Sequence, residues 1–226
     1  MGGTVGKGRV VLLPWGTYMG CLPLAEDNKP VRIRDYHEYY ASAIIREDSL
    51  LPAVCGRVCP QETQCQASCT LGKALKDRDR AVAIGRLERY AADLERASGP
   101  IHVPALPPET GCRVGVIGSG PASITAATDV RRAGHAVTLF EAFHEAGGVL
   151  AYGIPEFRLP KAIVQAELQA LALMGVRIQK NFVVGRTRRL QDLLDKDGYH
   201  ALFIGSGAGL PKFMNIEGEN LVGVFS

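Results

Sequence analysis

The run Gly118-Ser119-Gly120-Pro121-Ala122-Ser123 constrains the fold more than any other stretch of this chain, because of what stands on either side of it. A short β-rich segment, Arg113 to Ile117, precedes it. It opens a helical one, Pro121 to Ala133, and a second β-rich segment, Ala136 to Phe140, then runs into the acid Glu141. A bare glycine repeat of this kind is weak; the strand, turn, helix, strand and acid in sequence make it specific. Gly118 permits a tight turn. Gly120 lets the backbone approach a pyrophosphate, whose charge the free N–H groups of a helix N-terminus stabilise. Ser123 replaces the usual third glycine and is small enough for close helix–strand contact. Glu141 is placed to accept hydrogen bonds from an adenosine ribose, and a carboxylate there disfavours a 2′-phosphate, so the pattern suits FAD or NAD better than NADP. The plainer alternative is a glycine turn in an α/β protein that holds no nucleotide.

Beyond an irregular Gly- and Pro-rich stretch the alternation continues. Lys161 to Met174 reads as a helix, Val176 to Ile178 and Val183-Val184 as extended, and Leu190 to Leu194 as a short helix. Tyr199 to Ile204 reads as a strand ending in Gly205-Ser206-Gly207-Ala208-Gly209. Such alternation predicts a mainly parallel sheet with helical crossovers. Gly147-Gly148 follows Glu141 closely, where flexible backbone can approach a flavin's phosphates or ribityl chain. The Gly205 to Gly209 cluster ends a later strand near the same crevice. Paired glycine signatures of this kind favour FAD over NAD.

Upstream, Cys55-x3-Cys59-Pro60-x4-Cys65-x3-Cys69 puts four cysteines into 15 residues. A run this dense makes disulfides or holds a metal, and the compartment decides between them. The apolar run Val10-Val11-Leu12-Leu13 is broken by Pro14 and lacks a small-residue cleavage site, which argues against a secretory signal. No stretch reaches the roughly 20 apolar residues of a membrane span. With a net charge of only +3 and basic residues scattered among acids, no nucleic-acid or polybasic membrane footprint stands out. A cytoplasmic location follows as the expectation, and with it metal ligation. An iron–sulfur cluster draws thiolates from short-spaced groups plus remote ones. Four cysteines can also close a zinc site, and buried structural thiols are a third reading. The spacing departs from short zinc knuckles, and proline after a ligand cysteine recurs in ferredoxin-like runs. None of His37, His102, His135, His144 or His200 has metal-like spacing with another, and Cys112 reads as a buried thiol.

Around the cysteine loop the pattern is helical. Val31 to Leu51 carries Ile33, Tyr36, Tyr40, Ile44 and Ile45 on one face and is ended by Pro52. Ala81 to Ala97 carries Val82, Ile84, Leu87, Tyr90, Ala91 and Leu94 on one side. Pro100, Pro104, Pro107 and Pro108 make the stretch between Gly99 and Gly111 a linker. The expected organisation is an unassigned segment over 1–30, a small all-α domain over 31–98, a Pro-rich linker over 99–111, and a Rossmann-like α/β FAD-binding domain over 112–226.

Several runs together resemble the glutamate synthase small-subunit family, over about residues 31–226. They are Leu51-Pro52-Ala53-Val54 into CGRVCP, Ala83-Ile84-Gly85-Arg86-Leu87-Glu88, the GSGPAS fingerprint, and Gly147 to Pro160 (GGVLAYGIPEFRLP). The family includes the large subunit of NADH-dependent ferredoxin:NADP oxidoreductase, and the N-terminal half of dihydropyrimidine dehydrogenase is related. The resemblance implies an electron-transfer flavoprotein with a helical ferredoxin-like domain before the FAD-binding domain. In such a protein FAD exchanges electrons with [4Fe-4S] clusters and serves a partner redox subunit. It implies no catalytic acid or base. Gly118, Ser119, Gly120, Pro121, Ala122 and Ser123 would meet the pyrophosphate, Glu141 the ribose, Gly147, Gly148, Val149 and Arg158 the flavin side, and Val184 the adenine. For Arg158 the plainer reading is a surface salt bridge; for Val184, a strand residue.

For the clusters, the resemblance makes Cys59 and Cys65 ligands of one and Cys69 a ligand of the other. Cys55 stands as a bystander and Glu88 where some relatives supply an oxygen ligand. The upstream cysteine-rich group of the family is absent; Cys21 is the only thiol there. One cluster held by Cys21, Cys59, Cys65 and Glu88 is the expectation, and the second, with Cys69 alone, does not form. Relatives continue beyond the segment resembling Asn220 to Ser226 into an NADPH-binding domain, so the resemblance implies an N-terminal piece of a larger oxidoreductase, not active alone. Two readings from other classes stay open. One is a truncated, non-catalytic binding or assembly module; the other is a zinc-stabilised helical domain fused to an NAD-binding enzyme.

Overall fold

Proline without an amide hydrogen is harmless at the first position of a helix, where that hydrogen has no partner in any case. Pro52 uses this: it opens helix α1, Pro52–Val58, where the sequence reading had it close the helix before it. Cys55 therefore lies inside a helix and Cys59 at its C-cap. The computed structural model describes residues 41–46, 48–99, 101, 103–209 and 214–223. Residues 1–30 with Cys21, and most of the helix expected from Val31 to Leu51, lie outside these; residues 41–46 are helical.

After α1 come the turns of 61–68, α2 (Thr70–Ala74), a single 3₁₀ turn (Arg78–Arg80) and α3 (Ile84–Ser98). The start of α3 is three residues later than the periodicity predicted. Its buried face also differs. Ala91 of the expected face is buried, with Gly85 and Ala92 beside it, while Ile84, Leu87 and Tyr90 are 40%, 57% and 63% exposed. The cause is close approach: a Cβ on Gly56 of α1 would lie 2.6 Å from the Arg89 nitrogen of α3, so only the smallest side chains fit between the two helices. The pair is locked by Arg57, whose Nη2 donates to both carboxylate oxygens of Asp93 at 2.6 and 2.7 Å while Nη1 donates to the Ala53 carbonyl at 3.0 Å.

The second half is the expected parallel α/β layer. In chain order it runs β1 (Arg113–Ile117), α4 (Pro121–Arg132), β2 (Ala136–Phe140), α5 (Val149–Tyr152), α6 (Lys161–Leu173), β3 (Arg177–Gln179), α7 (Leu190–Asp195) and β4 (Ala201–Ile204). The strands lie in the order β3-β2-β1-β4, all parallel, with Val116 opposite Leu139 on one side and Phe203 on the other. Helix α5 sits inside the stretch read as irregular. Val184 forms one parallel bridge to Arg188, not a strand, and Cys112 is half-buried where a buried thiol was expected. Leu51, Ala53, Val54 and Ala92 from the helical half join Val116, Ile124, Leu139, Ile163 and Leu171 in one apolar core.

Three strands release the chain at the same end. The Gly118 amide donates to the Phe140 carbonyl (2.8 Å), that of Glu141 to Gln179 (2.9 Å) and that of Gly205 to Ile117 (2.8 Å). The fingerprint, the acid and the second glycine cluster thus leave the sheet side by side at its carboxyl edge, where ligands of open α/β sheets bind.

Candidate dinucleotide-binding site

Gly118 has φ +95°, a conformation that L side chains rarely adopt, and a Cβ there would lie 2.5 Å from the Gly205 carbonyl oxygen. The turn into α4 is therefore open only to glycine. Gly120 differs. Its φ of −69° suits any residue, and a Cβ on it would meet no atom within 4 Å. That clear space lies at the N-terminus of α4, where Gly120 caps without a side chain and Pro121 has no amide hydrogen. The next amides, of Ala122 and Ser123, are the first donors of the helix without an acceptor of their own in it. A helix start that is clear of protein and donor-rich fits an anionic pyrophosphate.

The other residues expected at the site gather around this turn. Gly148, at φ +53°, brings its backbone against the fingerprint: a Cβ there would fall 2.9 Å from the Gly120 Cα. Ser123 Oγ donates to the Gly205 carbonyl at 3.2 Å, tying α4 to the end of β4. Glu141 is buried. Its Oε1 accepts the Phe143 amide at 2.8 Å and its Oε2 accepts the Ser119 hydroxyl. Ser119 Oγ in turn accepts the Gly147 amide at 2.8 Å. Val149 begins α5 and is more than half exposed. Arg158 is exposed in the turn before Leu159, and its guanidinium has no ion pair or hydrogen bond among the described residues, so the salt bridge offered as its plainer reading is not found there. Val184 packs partly buried beside Phe140, Leu193 and Tyr199.

Sequence reasoning missed several neighbours. Phe143 and Tyr152 stack at 5.2 Å, both about half exposed, and the Tyr152 hydroxyl accepts the Glu145 amide at 3.0 Å and lies 3.3 Å from His144 Nδ1. Lys161 holds the α5 turn from below, its Nζ donating to the carbonyls of Leu150 and Ile154. Nothing in the local pattern signals these contacts, which depend on how the chain returns after β2.

The cysteines are spread along their loop. Cys65 is exposed, and Cys69 caps α2 with its sulfur accepting the Val82 amide at 3.5 Å. Burial pushes the Cys55 thiol up to about 11, and neighbouring Cys59 and then Glu88 add to the effect. Glu88 accepts from Ser49 Oγ at 3.0 Å, and its carboxyl is itself raised by burial. Among the described residues no three His, Cys, Asp or Glu side chains converge closely enough to hold a metal. Of the set expected for one cluster, Cys59, Cys65 and Glu88 are not drawn together among the described residues, and Cys21 lies outside them. The open helix start at Gly120 with its acid does fit a dinucleotide.

A parallel sheet with a donor-rich helix start, an acid after β2 and a glycine turn folded against the first glycines has the form of a dinucleotide-binding unit. Residues 112–225 match the family model described as pyridine nucleotide-disulphide oxidoreductase, and residues 30–100 match dihydropyrimidine dehydrogenase domain II, 4Fe-4S cluster. The chain is 38% identical over 182 residues to the NAD-dependent dihydropyrimidine dehydrogenase subunit PreT of Escherichia coli (strain K12), covering 79% of this chain and 43% of PreT. It is 36% identical over 188 residues to the glutamate synthase [NADPH] small chain of the same organism, covering 83% and 39%. To that of Azospirillum brasilense it is 35% identical over 170 residues, covering 75% and 34%. Among solved structures it is similar to FprA of Mycobacterium tuberculosis in complex with NADPH, with a TM-score of 0.43 and 25% identity, over 52% of this chain and 27% of that one.

The chain belongs to the pyridine nucleotide-disulphide oxidoreductase family, in the group of the glutamate synthase small subunit, with FAD and a 4Fe-4S cluster as the cofactors of its two matched domains. It spans about two-fifths of the length of the curated relatives it matches. No helix among the described residues is long and apolar enough to cross a membrane.

Proposed function

We propose that the chain is the flavin-binding part of an electron-transfer oxidoreductase, with the adenosine half of FAD lying across the carboxyl ends of β1 and β2. The observation that carries this is Gly120: the one fingerprint glycine with unstrained backbone and open space stands where a pyrophosphate would meet the amides of Ala122 and Ser123. Glu141 would accept the ribose hydroxyls, the Gly147–Gly148 turn and Val149 would border the flavin side, and Arg158 would bring its guanidinium to the ligand. Val184, packed beside Phe140, would reach only the adenine end, through its backbone. Bound FAD supplies the redox chemistry; the protein supplies position and electrostatics.

PreT and the glutamate synthase small chain carry names of parts of larger assemblies. By extension, this chain serves a redox partner and receives reducing equivalents from a nicotinamide nucleotide held beyond the matched residues. Its cytoplasmic location belongs to the same reading. Cys59, Cys65, Cys69 and Glu88, with Cys21, remain the proposed ligand candidates. No electron path is drawn through them, because the described residues do not converge.

Two measurements test the reading. Apoprotein of the full chain, titrated with FAD, should quench flavin fluorescence to a one-to-one end point; absence of binding at concentrations near 100-fold above those typical of flavoproteins sinks it. Iron and sulfide analysis after anaerobic purification, repeated on Cys59→Ser and Cys65→Ser, should show metal lost in both variants. Metal retained in both removes them as ligands.

A further inference from the structure

A serine between two fingerprint glycines reads as a spacer, yet Ser119 is 1% exposed and its hydroxyl bonds to two other parts of the site. Its hydroxyl has one hydrogen to give and two lone pairs. The hydrogen goes to Glu141 Oε2, 22 residues away, and one lone pair accepts the Gly147 amide at 2.8 Å, 28 residues away. The other carboxylate oxygen of Glu141 is held by the Phe143 amide at 2.8 Å. Both oxygens thus have a fixed protein donor, and the plane of the carboxylate is set. The Gly147 contact also seats the next residue: Gly148 stands close enough to Gly120 that a Cβ would be 2.9 Å from its Cα.

We infer that Ser119 is a positioning residue for dinucleotide binding, one hydroxyl that aligns the ribose-facing acid and fixes the Gly147–Gly148 turn against the phosphate-binding glycines. The inference rests on the FAD reading above and adds to it a residue that selects for ligands with an intact adenosine ribose. Without the hydroxyl, Glu141 Oε2 and the Gly147 amide lose their shared partner in a buried place. Unsatisfied buried groups are costly, and a carboxylate one donor short turns to the nearest free one. That donor is the Gly147 amide, so the acid leaves the orientation in which it would meet the ribose. Arrangement is lost while the charge stays.

The test uses the full chain, freed of flavin, with FAD titrated by fluorescence and ADP and its 2′,3′-dideoxy analogue titrated by calorimetry. Ser119→Ala should weaken FAD and ADP about tenfold or more and the dideoxy analogue by a clearly smaller factor, since that ligand has no ribose hydroxyls to lose and feels only the loosened Gly147–Gly148 turn. Ser119→Thr, which keeps the hydroxyl, should restore binding. Ser119→Cys, of nearly the same size but a poor donor, should fall between, and it decides the matter if the alanine variant melts before it can be titrated. Equal affinities for FAD across the alanine, cysteine and wild-type proteins overturn the inference. So does an equal loss for ADP and the dideoxy analogue, which is the mark of a merely structural residue. Glu141→Ala separates the two levels. If it leaves ADP binding untouched, the ribose reading itself fails; if it weakens ADP while Ser119→Ala does not, only the role of Ser119 fails.

Discussion

Replacing Gly120 by alanine should separate folding from binding, because the two demands on this position have different physical origins. Its φ of −69° and ψ of 179° are ordinary for alanine, and the methyl group would touch nothing within 4 Å. Two small terms then act on stability. Alanine is a poorer helix N-cap than glycine, at a cost of about 0.5–1 kcal/mol. Against that, it restricts the unfolded chain and returns about 0.4–1 kcal/mol. The net change is within about 0.5 kcal/mol. For the ligand the balance is one-sided. A pyrophosphate oxygen accepting the helix amides at about 2.9 Å would be pushed out by roughly 1 Å, past the distance at which a hydrogen bond survives. Losing two such bonds to a charged group, at roughly 1.5–3 kcal/mol each, gives about 3–6 kcal/mol, a weakening of about a hundredfold to ten-thousandfold or more. Thermal melting of the apoprotein and a fluorescence titration with FAD measure both quantities. A variant that binds FAD as tightly as the parent refutes the placement of the phosphates at Gly120. A variant that melts far below the parent refutes the reading of that space as free.

Gly118→Ala should do the opposite: φ +95° and a carbonyl 2.5 Å from the new carbon demand strain of roughly 1–3 kcal/mol plus displacement of Gly205. The apoprotein should melt lower by about 3 kcal/mol, and an unchanged melting curve would contradict the close contact between β1 and β4 ends. Arg158→Ala should leave melting unchanged within about 0.5 kcal/mol, since its guanidinium has no partner among the described residues, while FAD titration shows weaker binding; unchanged affinity removes it from the site. Arg46→Met should be destabilising and pH-dependent. Arg46 Nε bonds both oxygens of Glu95 at 2.9 Å, and its Nη2 lies 3.7 Å from buried Glu167. With the arginine side chain 27% exposed, the fully buried range is discounted to about 2–3 kcal/mol, or roughly 5–10 °C in melting temperature. Burial raises the Glu167 carboxyl above its ordinary value, with Arg46 opposing. A raised carboxyl binds its proton more tightly in the folded protein, so stability falls as pH rises from the ordinary carboxylate range through the folded value. Losing Arg46 deepens that fall, and the variant should lag the parent more at pH 7.5 than at pH 4.5; an equal lag at both would refute the coupling.

The α/β half was legible because each strand and helix is specified locally. Arg113 to Ile117 and Ala136 to Phe140 have the residues exposed strands avoid and buried parallel strands need, and the glycine turn between them has one conformation to adopt. What escaped was non-local. Pro52 carries the same local signal whether it stops one helix or starts the next. The face of α3 could not be read from periodicity, because Ile84, Leu87 and Tyr90 are the stronger apolar residues and lose their place to Gly85, Ala91 and Ala92 only when Gly56 brings another helix to contact distance. Ser119 was named from the fingerprint, but its partners lie 22 and 28 residues away, and a serine between glycines has no pattern that would announce them.

Helix α1 and the turns after it hold the four cysteines differently: Cys55, Cys59 and Cys69 are half-buried and Cys65 is exposed. Helix α1 is anchored by Leu51, Ala53 and Val54 in the core that also holds Val116 and Ile124, so Cys55 starts from backbone fixed by the dinucleotide half of the molecule. Burial, with Cys59 and Glu88 beside it, pushes its thiol up to about 11. Where the helix ends, at Cys59, the chain leaves the core for the turns of 61–68, and Cys65 on those turns is exposed. A ligand set that assembles around added iron needs thiols whose backbone can move toward it without costing core contacts. Cys59, Cys65 and Cys69 meet that condition by position, and Cys55 does not.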